Sequence, residues 1–271
     1  MVSPSCYYGV PTNDETLELL AGSWFFFVGG SNLWVTYHSL GSQAVPFAYA
    51  FDAQRGSAAP DFTELLMERQ PDGTYALAHF SYQPPGGGRS DLDLPVPVYK
   101  RDSVRISYYS AKRWTDVSAG LTRMQQAGDG WADARPIVFG QAGHWYEAHY
   151  SSIPPDDHLP DLVAFLATHW RACVAAEGAC FLASVSCIEL DWYTINAYRK
   201  CNAFDQRFKR ELLGLVGPGT NGSSAFTFFE VDAFISQRYL EFPGHITAQI
   251  GLWMSWLVLN TLPEAHSVFG D

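Results

Sequence analysis

Residues 23–32 read Ser-Trp-Phe-Phe-Phe-Val-Gly-Gly-Ser-Asn. Ser23 to Val28 is a short apolar run rich in aromatic side chains, and Gly29-Gly30 ends it at once. A run of that length without alternation is a strand buried on both faces, the kind found inside a parallel sheet. Leu33 to Leu40 then starts a helix. Working outward, Tyr75 to Tyr82 and Val104 to Tyr109 alternate as strands do, and Pro136 to Phe139 is a second short buried strand. Leu159 to Glu177 is a helix: Leu162, Val163, Phe165, Leu166 and Trp170 recur at helical spacing, and Gly178 stops it. Cys180 to Val185 returns as a strand, Ile195 to Leu215 as a helix, Ala225 to Val231 as a strand, and His245 to Leu262 as a final helix ended by Pro263. Alternation of strand and helix predicts a three-layer α/β/α sandwich around a mostly parallel sheet. Gln83 to Ser90 and Gly214 to Ser224 are rich in glycine and read as surface loops within a single domain spanning 1–271.

The composition is that of a globular chain. Of 271 residues, 47% are apolar and 17% charged, which excludes disorder. Lys and Arg number 17 against 28 Asp and Glu, a net charge of −11, so no broad nucleic-acid-binding surface is expected. Ile246 to Leu262 is the longest apolar run near the C-terminus, but its Thr, Gln, Ser and Asn make it too short and polar for a membrane span. Met1 to Asp14 lacks the basic start and apolar centre of a signal peptide. The chain therefore suits the cytosol, or a trimmed piece of a longer secreted protein. Five cysteines (Cys6, Cys173, Cys180, Cys187, Cys201) contain no CxxC pair, so zinc spacing is poor. One or two disulfides and buried free thiols are both compatible with that spacing. Nine Trp suit a core and a carbohydrate-facing wall alike.

In a parallel sheet, sites collect at the carboxyl ends of the strands. Three such ends carry chemistry. Ser31 follows the first strand in a glycine turn at a helix start, where a hydroxyl is exposed and backbone N–H groups face a developing oxyanion. The same residues also suit a plain turn with Ser31 as helix cap. Gly140-Gln141-Ala142-Gly143-His144-Trp145-Tyr146 follows the strand at Pro136 to Phe139 and offers a side-chain amide and an aromatic wall. Asp232 follows the last strand, and Glu241-Phe242-Pro243-Gly244-His245 leads into the last helix. His245 there can accept the proton of Ser31 if a carboxylate orients it.

Taken together, these segments resemble the SGNH (GDSL-type) hydrolase superfamily, and within it the PC-esterase branch of trichome-birefringence-like and capsule O-acetylation proteins. Trp24 to Asn32 is similar to the family's hydrophobic strand ending in Gly-Asp-Ser. Ile137 to Trp145 is similar to its strand ending in Asn-Thr-Gly-His-Trp. Asp232 to Asn260 resembles its terminal block, in which Asp-x-x-His precedes a helix, and Val104 to Trp114 is similar to a further strand of the branch. The likeness covers about residues 20–262. It implies a flavodoxin-like sandwich and acyl transfer through Ser31, His245 and Asp232, with Glu241 as the alternative orienting acid. Gly30, Asn32, Gln141, Gly143, His144 and Trp145 would form the oxyanion and substrate side. The implied substrate is a small acyl ester, acetyl above all, of a small molecule or polysaccharide; no cofactor is implied. The family also points to the secretory lumen or the cell exterior. This chain departs from the pattern in three places: Gly30 stands for the Asp before the nucleophile, Gln141 with its longer side chain stands for the Asn, and Phe242 stands for the Asp three residues before the His.

Those departures motivate a second expectation, a catalytically degenerate protein that binds a glycan or serves as a structural module. Metal hydrolysis is not expected: His144, His149 and His158 fit neither HExxH nor a compact carboxylate–His set. Nor is a nucleotide enzyme, because Gly29-Gly30-Ser31 lacks the later glycine or Lys of the phosphate cradles.

Overall fold

The computed structural model describes residues 11–44, 60–86, 98–126, 133–142, 155–175, 179–183, 206–207, 210, 226–229, 240–242, 245–246 and 248–260. In chain order these form α1 (Asn13–Leu20), β1 (Ser23–Gly29), α2 (Ser31–Ala44), β2 (Phe62–Arg69), β3 (Tyr75–Gln83), β4 (Val104–Ser110), α3 (Trp114–Gln126) and β5 (Arg135–Gln141). A 3-10 turn at Pro155–Asp157 leads into α4 (His158–Ala175). Then come β6 (Ala179–Ala183), β7 (Phe226–Phe229), β8 (Leu240–Phe242), β9 (His245–Ile246) and α5 (Ala248–Asn260).

Seven strands make one sheet in the order β3-β2-β4-β1-β5-β6-β7. β4, β1, β5, β6 and β7 run parallel, while β2 joins β4 antiparallel and β3 joins β2 antiparallel. The architecture is α/β with a mostly parallel sheet, as the alternating pattern predicts. β1 is buried along its whole length, which is why it reads as an unbroken apolar run. Its side chains divide between two cores. Phe25 and Phe27 join Leu33, Tyr37, Ile106, Phe139 and Met254 beneath α1, α2 and α5. Trp24, Phe26 and Val28 join Trp114, Val117, Val138 and Phe165 beneath α3 and α4. Helices thus cover both faces, and each face buries a separate aromatic-rich layer.

α1 begins with a capping box, in which the Thr12 hydroxyl receives the Glu15 N–H and the Glu15 carboxylate receives the Thr12 N–H. α5 lies close against α2. A Cβ at Gly251 would sit 2.9 Å from Ser39 Oγ and 3.0 Å from the Val35 carbonyl oxygen. The missing side chain is what allows this approach. Trp256 Nε1 donates to Gln43 Oε1 at 2.8 Å across the same seam.

The start of the last helix differs from the sequence reading. His245 belongs to β9, paired with β8, and the last helix starts at Ala248. α1, β2, α3, β8 and β9 are elements that the pattern did not mark. The segments Ile195 to Leu215 and Gly214 to Ser224 lie largely outside the described residues. Cys180, 3% exposed, is disulfide-bonded, which settles that sulfur in favour of the disulfide alternative.

Candidate functional site

Among the parallel strands, the spatial order is second, first, third, fourth, fifth in chain sequence. The order reverses between β1 and β5, and α/β sheets of this order bind ligands in the crevice outside the carboxyl ends at that point. The last residue of β1, Gly29, stands level with Ser110 of β4 on one side and Gln141 of β5 on the other. A Cβ at Gly29 would overlap the Gln141 carbonyl oxygen and press on Leu33. Glycine is therefore required where the three strand ends converge.

The turn that follows is held by several donors. The Gly29 carbonyl accepts the Ala111 N–H at 3.0 Å and the Tyr108 hydroxyl at 3.0 Å. The Gly30 carbonyl accepts Leu33 and Trp34 N–H at 3.1 and 3.2 Å, with the Tyr108 hydroxyl also at 3.4 Å. Gly30 is thus the residue that caps α2, and Ser31 is its first helical residue. The alternative of Ser31 as a helix cap does not hold, because the capping position is Gly30. Ser31 is half-buried. Among the described residues its hydroxyl has no hydrogen-bond partner. Its N–H is one of those a helix leaves without an intrahelical acceptor, at the positive end of the helix dipole. Tyr108 is fully buried, and burial pushes its phenol well above the ordinary tyrosine range. It is therefore a neutral donor at all working pH values.

Asn32 and Gln141 are also buried, at 3% and 2% exposure. The Asn32 carbonyl accepts the Thr36 hydroxyl at 3.0 Å, an ordinary within-helix bond. Gly30, Ser31, Asn32 and Gln141 are thereby brought to one end of the sheet by the β1–β5 pairing. His245 is placed differently from expectation: it stands in β9, opposite Phe242 of β8, and β9 packs against α2. The hairpin carrying the predicted base therefore touches the helix that Ser31 begins. Glu241 lies in the middle of β8. Asp232, Gly143, His144 and Trp145 lie outside the described residues.

Sequence reasoning placed Ser31 and Gln141 but missed Tyr108. Its segment was read as a strand only, and nothing in a Tyr-Tyr-Ser strand end marks which hydroxyl turns toward a neighbouring loop. His158, considered among metal ligands, is buried and accepts the Trp114 indole N–H on Nε2 at 3.1 Å. That bond fixes it as a core histidine with Nε2 unprotonated. Beside it, Arg113 is spent on Asp157 and Asp161 at 2.7 and 2.9 Å, tying the start of α3 to the start of α4. Among the described residues, no cluster of three His, Cys, Asp or Glu side chains is disposed to hold a metal. No helix in those residues is long and apolar enough to cross a membrane. Comparison with protein-family models, with curated proteins and with solved structures found no match to this chain.

Proposed function

We propose that this chain hydrolyses or transfers small acyl esters through Ser31, in the manner of an SGNH-type hydrolase of the PC-esterase branch. The observation that carries the reading is the position of Ser31. It is the first residue of α2, behind a glycine cap, at the point where the strand order reverses. In the proposed step His245 takes the Ser31 proton as the oxygen attacks the ester carbonyl carbon. The oxyanion forms against the N–H groups at the start of α2 and the Gln141 amide. The intermediate collapses, and the leaving alcohol takes the proton from His245. Water or a sugar hydroxyl then attacks the acyl-serine, giving up its proton to the same imidazole, and the acyl–Ser31 bond breaks as Ser31 takes that proton back; the first acceptor makes an esterase, the second a transferase. Asp232 or Glu241 would orient the ring, and His144 and Trp145 would line the acceptor side. The Cys180 disulfide favours an oxidising compartment for this work.

The test is p-nitrophenyl acetate cleavage and fluorophosphonate labelling of the full chain. Ser31→Ala is expected to abolish labelling and to lower turnover by about a thousandfold or more. Full activity in Ser31→Ala would remove the assignment. A second reading is favoured by one specific observation. The residue opposite His245 across the β8–β9 pair is Phe242, where the family would have its acid. A non-catalytic glycan-binding protein would show saturable oligosaccharide binding with no acyl turnover.

A further inference from the structure

We propose that Tyr108 is the positioning residue of the Ser31 turn, replacing by a buried phenol the support that the family's Asp gives at position 30. The inference rests on the acyl-transfer reading for its kinetic consequence, but its structural content stands apart from that reading. The Tyr108 hydroxyl donates across a strand to two successive carbonyls, Gly29 at 3.0 Å and Gly30 at 3.4 Å. In a trans peptide the C=O and the following N–H point in opposite directions. Fixing the Gly29 and Gly30 carbonyls therefore fixes the aim of the Gly30 and Ser31 N–H groups. Those groups flank the nucleophile, and the Ser31 N–H leaves the helix at its open end.

The phenol is itself held rigidly. Tyr108 is fully buried. Its ring centroid lies 5.4 Å from that of Trp34 and 6.0 Å from that of Tyr37, both side chains of α2. The helix that carries Ser31 and the strand that carries Tyr108 are thus locked by ring packing as well as by the two hydrogen bonds. Glycine at both 29 and 30 leaves the turn no side chain of its own with which to set its conformation, so the constraint must come from outside it.

Tyr108→Phe removes one oxygen and keeps the ring. Tyr37→Phe is the matched control. It removes the same atom from the same aromatic layer, where the Tyr37 hydroxyl meets Thr63 Oγ1 at 3.4 Å. Two readouts are taken on the full chain. Hydrogen–deuterium exchange over residues 29–34 should quicken in Tyr108→Phe and stay at the wild-type rate in Tyr37→Phe. Fluorophosphonate labelling of Ser31 should slow by about tenfold to 100-fold in Tyr108→Phe only. With p-nitrophenyl acetate that loss should fall on kcat with KM unchanged. Unchanged exchange and labelling in Tyr108→Phe, or equal changes in the control, would overturn the role of Tyr108 and leave the Ser31 reading standing. If the wild type is not labelled at Ser31 while the exchange difference is present, the acyl-transfer reading fails and the structural role of Tyr108 survives. If Tyr108→Phe does not fold, Ser110→Ala is read in its place. Ser110 stands two residues further along β4, on the same face as Tyr108, and bears on its phenol; the same selective quickening of exchange, in smaller degree, is expected, and its absence counts against the proposal.

Discussion

Gly29 shows how one missing methyl group can decide whether three strand ends meet. Its hydrogen atom faces the Gln141 carbonyl at a distance no Cβ can share. Gly29→Ala must push β5 aside and crowd Leu33 as well. Overpacking of this kind costs about 1–3 kcal/mol, read as a lower urea midpoint with unchanged slope. A gentler residue-scale effect belongs to Glu15 in α1. Its carboxylate receives the Thr12 backbone N–H at 2.7 Å and the Thr12 hydroxyl at 2.8 Å, and these bonds hold its pKa below the ordinary glutamate value. The folded value lies below the unfolded one of about 4.3, so the stabilisation is complete above that pH. It is lost as pH falls through the folded value. Amide protection in α1 should therefore exceed that of Glu15→Gln at neutral pH, and the difference should shrink as the pH falls below the unfolded value.

Between elements, the informative junction is the one that fastens the antiparallel β2–β3 pair to the parallel sheet. Glu64 of β2 and Arg105 of β4 are buried to 1% and 3% exposure. Arg105 Nε donates to Glu64 Oε2 at 2.7 Å, and the Ser107 hydroxyl donates to the same oxygen at 2.8 Å. The guanidinium also lies 3.6 Å over the Trp24 ring of β1. Glu64→Ala strands a buried cation, for which about 3–5 kcal/mol is expected. Glu64→Leu with Arg105→Met replaces both charges by apolar volume and should recover most of that loss; thermal melts of the two variants make the comparison. The same junction explains why sequence reading caught some strands and not others. β1, β5, β6 and β7 are apolar in themselves, and each was legible. β2 carries Glu64 at its centre, and that charge is buried only because Arg105 meets it from a strand 41 residues away. The pairing is invisible until the fold exists. The boundary at His245 failed for a similar reason. Apolar spacing runs through 245–262 without a break, and what holds His245 out of the helix is its pairing with Phe242.

At the scale of the molecule, the strand order places Ser31 and Gln141 at one reversal point, and that much of the site could be read from the order of strands and turns. What could not be read is how the site is braced from behind. α5 comes from the far end of the sequence and closes the layer over α2, the helix that begins with Ser31. Its hold depends on close backbone approach at Gly251. Ser255 adds a hydroxyl shared between the Gly251 carbonyl at 3.0 Å and the Thr36 carbonyl at 3.4 Å. β9, with His245, enters the same seam from the other side of the short step into α5. α5 is therefore the part of the chain that sets the packing of the Ser31 helix, and it follows directly on the strand that carries His245. Gly251→Ala puts a methyl group against Ser39 Oγ and the Val35 carbonyl, and the seam must open by a fraction of an ångström to take it. A stability loss of about 1–3 kcal/mol is expected in urea. If α5 braces the site, hydrogen exchange should quicken in α2 and α5 together while α3 and α4, in the opposite layer, keep their protection. Equal quickening in both layers would instead mean that the two cores open as one unit and that α5 has no separate hold on the Ser31 helix.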